Sequence, residues 1–273
     1  MVTLNNKSLH TQMFDADRLR LELALRGDLA ALEETYSGSH PEVEISTSDK
    51  WDDIANMSSV PEIRIRRLAR VAELVGTAGG LLDVGPGWGD IIPILEKKYS
   101  DLNYTGIDFS ANVINRLSEK FPGHRFVHGS LADVDREQFD TILVLEVLEH
   151  IVPSRVLGFL REAHDRLKPR GELIITIPID ENLEEFTFVC GNCGRAMNKM
   201  GHVRLYSPEL IAAELKMAGF DITHQELMYI GYYGFQGAVK RHLRNTLGRL
   251  IGPSDFRPAK SACVILKCVR TDR

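Results

Sequence analysis

Leu81-Leu82-Asp83-Val84-Gly85-Pro86-Gly87-Trp88-Gly89-Asp90 is the stretch on which the fold of this chain turns. A short apolar run enters three glycines at alternate positions, and a helical pattern leaves them. Glycine lets the backbone turn sharply and lets a ligand approach the main chain. The N-terminus of the following helix adds unpaired N–H donors and the positive end of a dipole. A dinucleotide site wants G-x-G-x-x-G, whose last glycine packs the helix on the strand. Here the spacing is G-x-G-x-G, and Asp90 stands where that last glycine belongs. A carboxylate there repels a pyrophosphate but not a ligand carrying positive charge.

Outward from this turn, strands and helices alternate. Apolar runs at Gly80–Val84, Asn103–Ile107, Arg125–His128, Asp140–Leu145 and Glu172–Ile177 read as strands. The fourth is nearly continuous, as in a strand buried on both faces. Helical patterns follow the Gly turn to about Tyr99, open again at Ser110, and run from about Ser154 to Leu167 before Pro169 and Gly171. This β-α rhythm predicts a parallel sheet with helices on both faces. Upstream, residues 14–36 read as one helix and 37–58 as a loop. Ser59 and Glu62 have capping-box spacing ahead of Ile65, Leu68, Val71 and Val75. Downstream, Ser207 caps a helix to Met217 with Pro208 in its first turn, and strands are expected at Phe220–Ile230 and Ser261–Val269.

Asp108 ends the second strand, in Tyr104-Thr105-Gly106-Ile107-Asp108-Phe109-Ser110. A carboxylate there can accept hydrogen bonds from two ribose hydroxyls, and Phe109 can pack on an adenine face. With these residues in order, about residues 60–230 resemble the class I S-adenosylmethionine-dependent methyltransferases. LLDVGPGWGD is similar to the first motif of that family, and the Asp108 segment to its second. Phe126-Val127-His128-Gly129-Ser130-Leu131 is similar to the third, with Ser130 where the family usually has an Asp for the adenine amino group. Phe139 through His150 is similar to the fourth motif, and Leu167-Lys168-Pro169-Arg170-Gly171-Glu172-Leu173 to the fifth.

The resemblance implies an α/β, Rossmann-like, mostly parallel sheet of seven strands, the last antiparallel and paired beside the sixth. It implies S-adenosyl-L-methionine as cofactor, held by Asp83, Gly85, Pro86, Gly87, Gly89, Asp108, Phe109, Ser130, Leu131 and Glu146. Residues 1–58 are expected to form an N-terminal helical cap and loop, and 59–273 the methyltransferase domain. Ligands on such sheets bind beyond the C-terminal strand ends. Glu146, Glu149 and His150 follow the fourth strand there. His150 is a candidate general base, because histidine titrates near neutrality; Glu149 and His202 are further catalytic candidates. His202 and Arg204 lie where the family places its substrate lid.

Cys190-Gly-Asn-Cys193-Gly, within an irregular insertion over 179–206, has the form of a metal knuckle. Two thiolates and the His202 imidazole make a zinc-like set, with a fourth ligand from Cys263, Cys268, a distant histidine or water. The stretch is similar to an insertion in some methyltransferases of this class, with C-x-x-C followed by G-H-x-R.

Over 235–260, six Lys and Arg stand against Asp255 alone, and Val239, Leu243, Leu247 and Leu250 supply an apolar face. This segment reads as a surface helix over the sheet, with peripheral membrane contact through 235–258 as the alternative. The overall charge of −5 disfavours a nucleic-acid partner, whose affinity comes from neutralising phosphates. A 44% hydrophobic content without any 18-residue apolar run, and a start lacking a secretory pattern, point to a cytoplasmic protein. The expected acceptor is a small molecule, with oxygen of a sugar, lipid-linked or natural-product intermediate as the target that the resemblance implies. Protein or nucleic-acid methylation, or cofactor binding without catalysis, are the alternatives.

Overall fold

In the computed structural model, the chain is described over residues 18–37, 62–77, 79–134, 138–179, 187–189, 196–198, 200–229 and 262–272. After helical turns at 18–26 come α1 (Leu29–Ser37), α2 (Glu62–Leu74), β1 (Leu81–Val84), α3 (Ile92–Lys98), β2 (Tyr104–Asp108), α4 (Ala111–Lys120) and β3 (Arg125–His128). The second half holds β4 (Phe139–Leu145), α5 (Pro153–Arg166), β5 (Leu167–Ile179), β6 (Thr187–Val189), β7 (Ala196–Asn198), α6 (Pro208–Met217), β8 (Phe220–Tyr229) and β9 (Ala262–Arg270).

Seven strands form one sheet in the order β3-β2-β1-β4-β5-β9-β8. The first five run parallel, and β9 is antiparallel to both β5 and β8. The expected sheet is therefore present, with the last strand beside the sixth and wedged between it and β5. The order reverses between β1 and β4. That is the switch point where an open sheet leaves a crevice at its C-terminal edge. Register aligns the edge: Val84 lies opposite Ile107 on one side and Val144 on the other.

Adjacent residues of the central strands feed two different cores, because side chains alternate across a sheet. Leu82, Ile142, Leu173 and Ile175 join α1, α5 and α6 through Leu32, Leu160 and Ile211. Leu81, Leu143 and Ile174 join α2 and α3 through Leu68, Val71 and Leu95. All of these side chains are buried, which explains why the central strands read as unbroken apolar runs.

Several boundaries differ from the expectation. The helix over 14–36 is broken. Gly27 adopts φ 71°, and Asp28 starts a new helix by accepting from Ala31 N–H (3.1 Å). Glycine takes the left-handed conformation without a Cβ penalty, and a short acid caps well, so local chemistry overrides the leucine pattern. The breaker pair at Pro169 and Gly171 does not end a helix directly. α5 stops at Arg166, and β5 begins at once at Leu167, with Arg170 at φ 61° inside it. The 179–206 stretch is not wholly irregular, since β6 and β7 form an antiparallel pair within it. Ser59, Cys190, Cys193 and the basic segment at 235–258 lie outside the described residues.

Candidate functional site

The glycine turn leaves β1 with Gly85, Gly87 and Gly89 at φ 70°, 56° and 70°. A Cβ on Gly85 would lie 3.0 Å from Val147 Cγ2, and one on Gly89 would lie 2.8 Å from Leu117 Cδ2 and Phe121 Cε2. The third glycine thus lets α4 close against the turn. α4 also grips it from outside. Arg116 stacks its guanidinium 3.9 Å from the Trp88 ring centroid and donates to Gly87 O (3.2 Å). Asp90, read as the residue that turns the site away from pyrophosphate, is paired with Arg64 at 3.0 Å.

Behind the turn, Asp83 is buried. Tyr104 O–H donates to its Oδ2 (2.6 Å), while Oδ1 has no hydrogen-bond partner among the described residues. Burial pushes the carboxyl up to about 7, the Tyr104 bond works against that, and Asp108 adds to the rise. An orphaned buried acceptor is costly, so a half-satisfied carboxyl behind a turn of left-handed glycines is compatible with a cationic group beside it.

At the end of β2, Asp108 Oδ1 accepts from Ser110 N–H (2.8 Å), and Ser110 caps α4 by accepting from Val113 N–H (3.2 Å). Phe109 beside it is exposed (67%), an aromatic face kept out of the core. Ser130 N–H and Oγ–H both donate to Asp133 Oδ2 (2.7 and 2.8 Å), and Leu131 is buried. An acid, Asp133, thus stands three residues after Ser130 and is tied to it. Its bonds from the Ser130 backbone and hydroxyl hold it below the usual carboxylate range. These features together fit S-adenosylmethionine: a glycine cradle that a Cβ would fill, an orphaned acid, and an edge carboxylate next to an open aromatic ring.

Glu146, at the end of β4, sits in the left-handed region (φ 57°), a costly conformation for a residue with a Cβ. Three side chains hold it. Thr176 O–H donates to Oε1 (2.9 Å), Cys263 Sγ–H donates to the same oxygen (3.5 Å), and Arg67 pairs with Oε2 (2.8 Å). Cys263 and Cys268 are buried free thiols, both pushed up by burial, with Glu146 adding to the rise at Cys263.

One turn further, the chain brings its three acceptor-side candidates together. Val203 N–H donates to Glu149 O (2.9 Å), lacing 148–150 to 201–203. His150 and His202 rings meet edge-on, 5.0 Å between centroids. Each Nε2 lies 4.0 Å from Glu149 Oε1, and Glu149 is buried. Burial first, and His202 second, push His150 down to about 4, so its ring is neutral at pH 7. So weak a base has little driving force for taking an acceptor's proton unaided.

Arg204 is not an acceptor residue. It is fully buried, donates to Glu214 Oε1 (2.5 Å) and Tyr206 Oη (2.6 Å), and belongs to the core rather than the site. Sequence reasoning missed Arg67, Arg116 and Asp133. Only Asp133 left a local signal, the S-x-x-D spacing of a capping box, which the structure shows formed. Arg67 and Arg116 act across elements.

A family model described as "Methyltransferase domain" matches residues 59–225. Sphingolipid C9-methyltransferase 1 of Gibberella zeae is 27% identical over 75% of this chain and 41% of its own length. The chain thus spans less than half of that curated relative. The ubiquinone/menaquinone biosynthesis C-methyltransferase of Desulfotalea psychrophila is 24% identical over 60% of this chain and 74% of its own. Among solved structures, the cyclopropane synthase MmaA2 of Mycobacterium tuberculosis superposes with a TM-score of 0.56 at 17% identity, covering 79% of this chain and 87% of that one, a likeness of fold. The sheet order, the glycine turn and the family match over most of the sheet agree, and this chain belongs to the methyltransferase-domain family of class I S-adenosylmethionine-dependent methyltransferases.

Proposed function

We propose that this methyltransferase acts on a small-molecule or lipid-like acceptor at the crevice between β1 and β4. The observation that carries the cofactor half is the orphaned Asp83 Oδ1 beneath the Gly85–Gly89 turn. The cofactor supplies a methyl already activated on a sulfonium. The protein's task is to bind it, exclude water and align the acceptor in line. Asp83 and Glu146 serve the methionine end, Asp108 the ribose, and Phe109, Leu131 and the Ser130–Asp133 pair the adenine. Glu149, His150 and His202 face the acceptor.

Oxygen is the target that the sequence resemblance favours. Carbon is the second reading, because two of the relatives above carry C-methyltransferase names. A lipid-like acceptor also gives the basic segment at 235–258 a use, in peripheral contact with an anionic membrane. Zinc at Cys190, Cys193 and His202 is what the sequence alone suggests for the cysteine insertion; the ligand set argued below takes His202 instead.

The test is turnover with methyl-labelled S-adenosylmethionine over a panel of hydroxylated and lipid-like acceptors. Magnetic resonance of the product separates methoxy from C-methyl. His150→Ala removes a side chain that faces the acceptor, and the misalignment is expected to lower turnover on the order of 100-fold while leaving cofactor affinity unchanged. Unchanged turnover removes His150 from the acceptor chemistry. Loss of cofactor affinity instead moves it to the cofactor side.

A further inference from the structure

Glu149, His150 and His202 come from two segments more than 50 residues apart, and their donor atoms all lie within 4.8 Å of one another. We propose that these three side chains bind a divalent transition-metal ion of the zinc type, leaving its fourth position open. The inference does not rest on the choice of methyl acceptor.

The donor set is the first support. Two imidazoles and a carboxylate form one of the three-ligand sets of catalytic zinc, and the missing fourth protein ligand is what distinguishes a catalytic site from a closed structural one. The spacing is the second. At 4.0 Å from Glu149 Oε1, each Nε2 is beyond hydrogen-bond reach. An ion bonded at about 2.0–2.2 Å keeps its ligand atoms about 3–3.5 Å apart, so closure asks for movements on the order of 1 Å. The third is orientation. His150 Nδ1 lies 3.1 Å from Gly201 O. A carbonyl only accepts, so Nδ1 carries the hydrogen and Nε2 turns its lone pair toward Glu149 and His202. A metal-bound histidine is held in the same way, by its other nitrogen donating to a backbone carbonyl. The fourth is rigidity. The Val203 N–H to Glu149 O bond and the His150–Gly201 bond fix the two segments against each other before any ion arrives. His202 cannot complete this set and the Cys190–Cys193 knuckle at once, so the two metal readings are separable.

The experiment uses the full chain, stripped with chelator and dialysed. Titration with Zn²⁺ by calorimetry, and with Co²⁺ by visible absorption, is expected to show one ion per chain. Glu149→Gln and His202→Asn, checked for folding by circular dichroism, should each weaken binding on the order of 100-fold or more, judged from the 10–100-fold that outer-shell changes cost. The Cys190→Ser/Cys193→Ser double variant should bind as the parent does. X-ray absorption of the zinc-loaded parent needs no variant and should show only nitrogen and oxygen ligands near about 2.0–2.2 Å. Absence of one-to-one binding overturns the proposal. So does retention of affinity in both single variants, loss in the cysteine variant, or a sulfur shell near about 2.3 Å.

Discussion

Asp83 sets the clearest chemistry at the residue scale. The unfolded chain releases an aspartate proton near about 3.9, whereas the folded protein holds this one until about 7. An acid raised in the folded state contributes stability below its unfolded value, and that contribution is lost as pH rises through the folded one. Stability without cofactor should therefore fall from about pH 4 to pH 7, by roughly a few kcal/mol at 1.36 kcal/mol per unit. Asparagine at 83 keeps an oxygen for Tyr104 O–H and has nothing to ionise. Asp83→Asn should gain on the parent in melting temperature as pH goes from 5 to 8. A difference that stays constant with pH would refute the assignment. The same residue shows what was legible locally. The sequence marks Asp83, the glycines and Asp108 by order and spacing along one segment each. It does not mark the orphaned oxygen, which depends on Tyr104 arriving from the neighbouring strand.

At the scale of elements, the network around Arg204 ties three pieces of chain together. Tyr36 O–H from α1 and Arg204 from the 201–207 segment both donate to Glu214 of α6. Arg204 and Glu214 are wholly enclosed. Removing one member of such a pair leaves a buried charge and costs about 3–5 kcal/mol, while replacing both with apolar groups can be neutral. Glu214→Ala should thus destabilise by about that much in urea unfolding. Arg204→Met/Glu214→Leu should recover most of the loss, and additive losses would refute a charge-pair origin. The same anchoring positions His202, two residues before Arg204, so Glu214→Ala should also disturb the acceptor side. Sequence reading gave the elements themselves well, because strand burial and helix caps such as Ser110 and Ser207 are written locally. It read Arg204 as an acceptor residue because it follows the 179–206 insertion, where the resemblance places a substrate lid. Only packing against Glu214, ten residues on, reveals the burial.

For the whole molecule, the sheet order places three acids on one edge. Asp83, Asp108 and Glu146 stand at or beside the ends of β1, β2 and β4, where the order reverses. That convergence was readable from the motif order alone, since a parallel α/β sheet sends every β-to-α turn to the same edge. The helix break at Gly27 and the β6–β7 pair were not readable, because they follow from turn conformation and short-range pairing that hydrophobic period does not encode. The converging charge has a consequence for ligand binding. A cation entering beneath the glycine turn meets Asp83 still half protonated at neutral pH. Binding then releases a proton, so the affinity for S-adenosylmethionine should rise with pH between about 6 and 8. The neutral-sulfur product S-adenosylhomocysteine keeps the ammonium and should show the slope too, which separates the amino end from the sulfonium as the partner of Asp83. Mass action turns the affinity into stability: at one hundred times Kd, the cofactor adds about 2.7 kcal/mol. The cofactor-induced rise in melting temperature, read at fixed ligand concentration, should therefore increase with pH in the parent and be nearly flat in Asp83→Asn. A flat response in the parent would mean that the orphaned oxygen faces something other than the cofactor's charge.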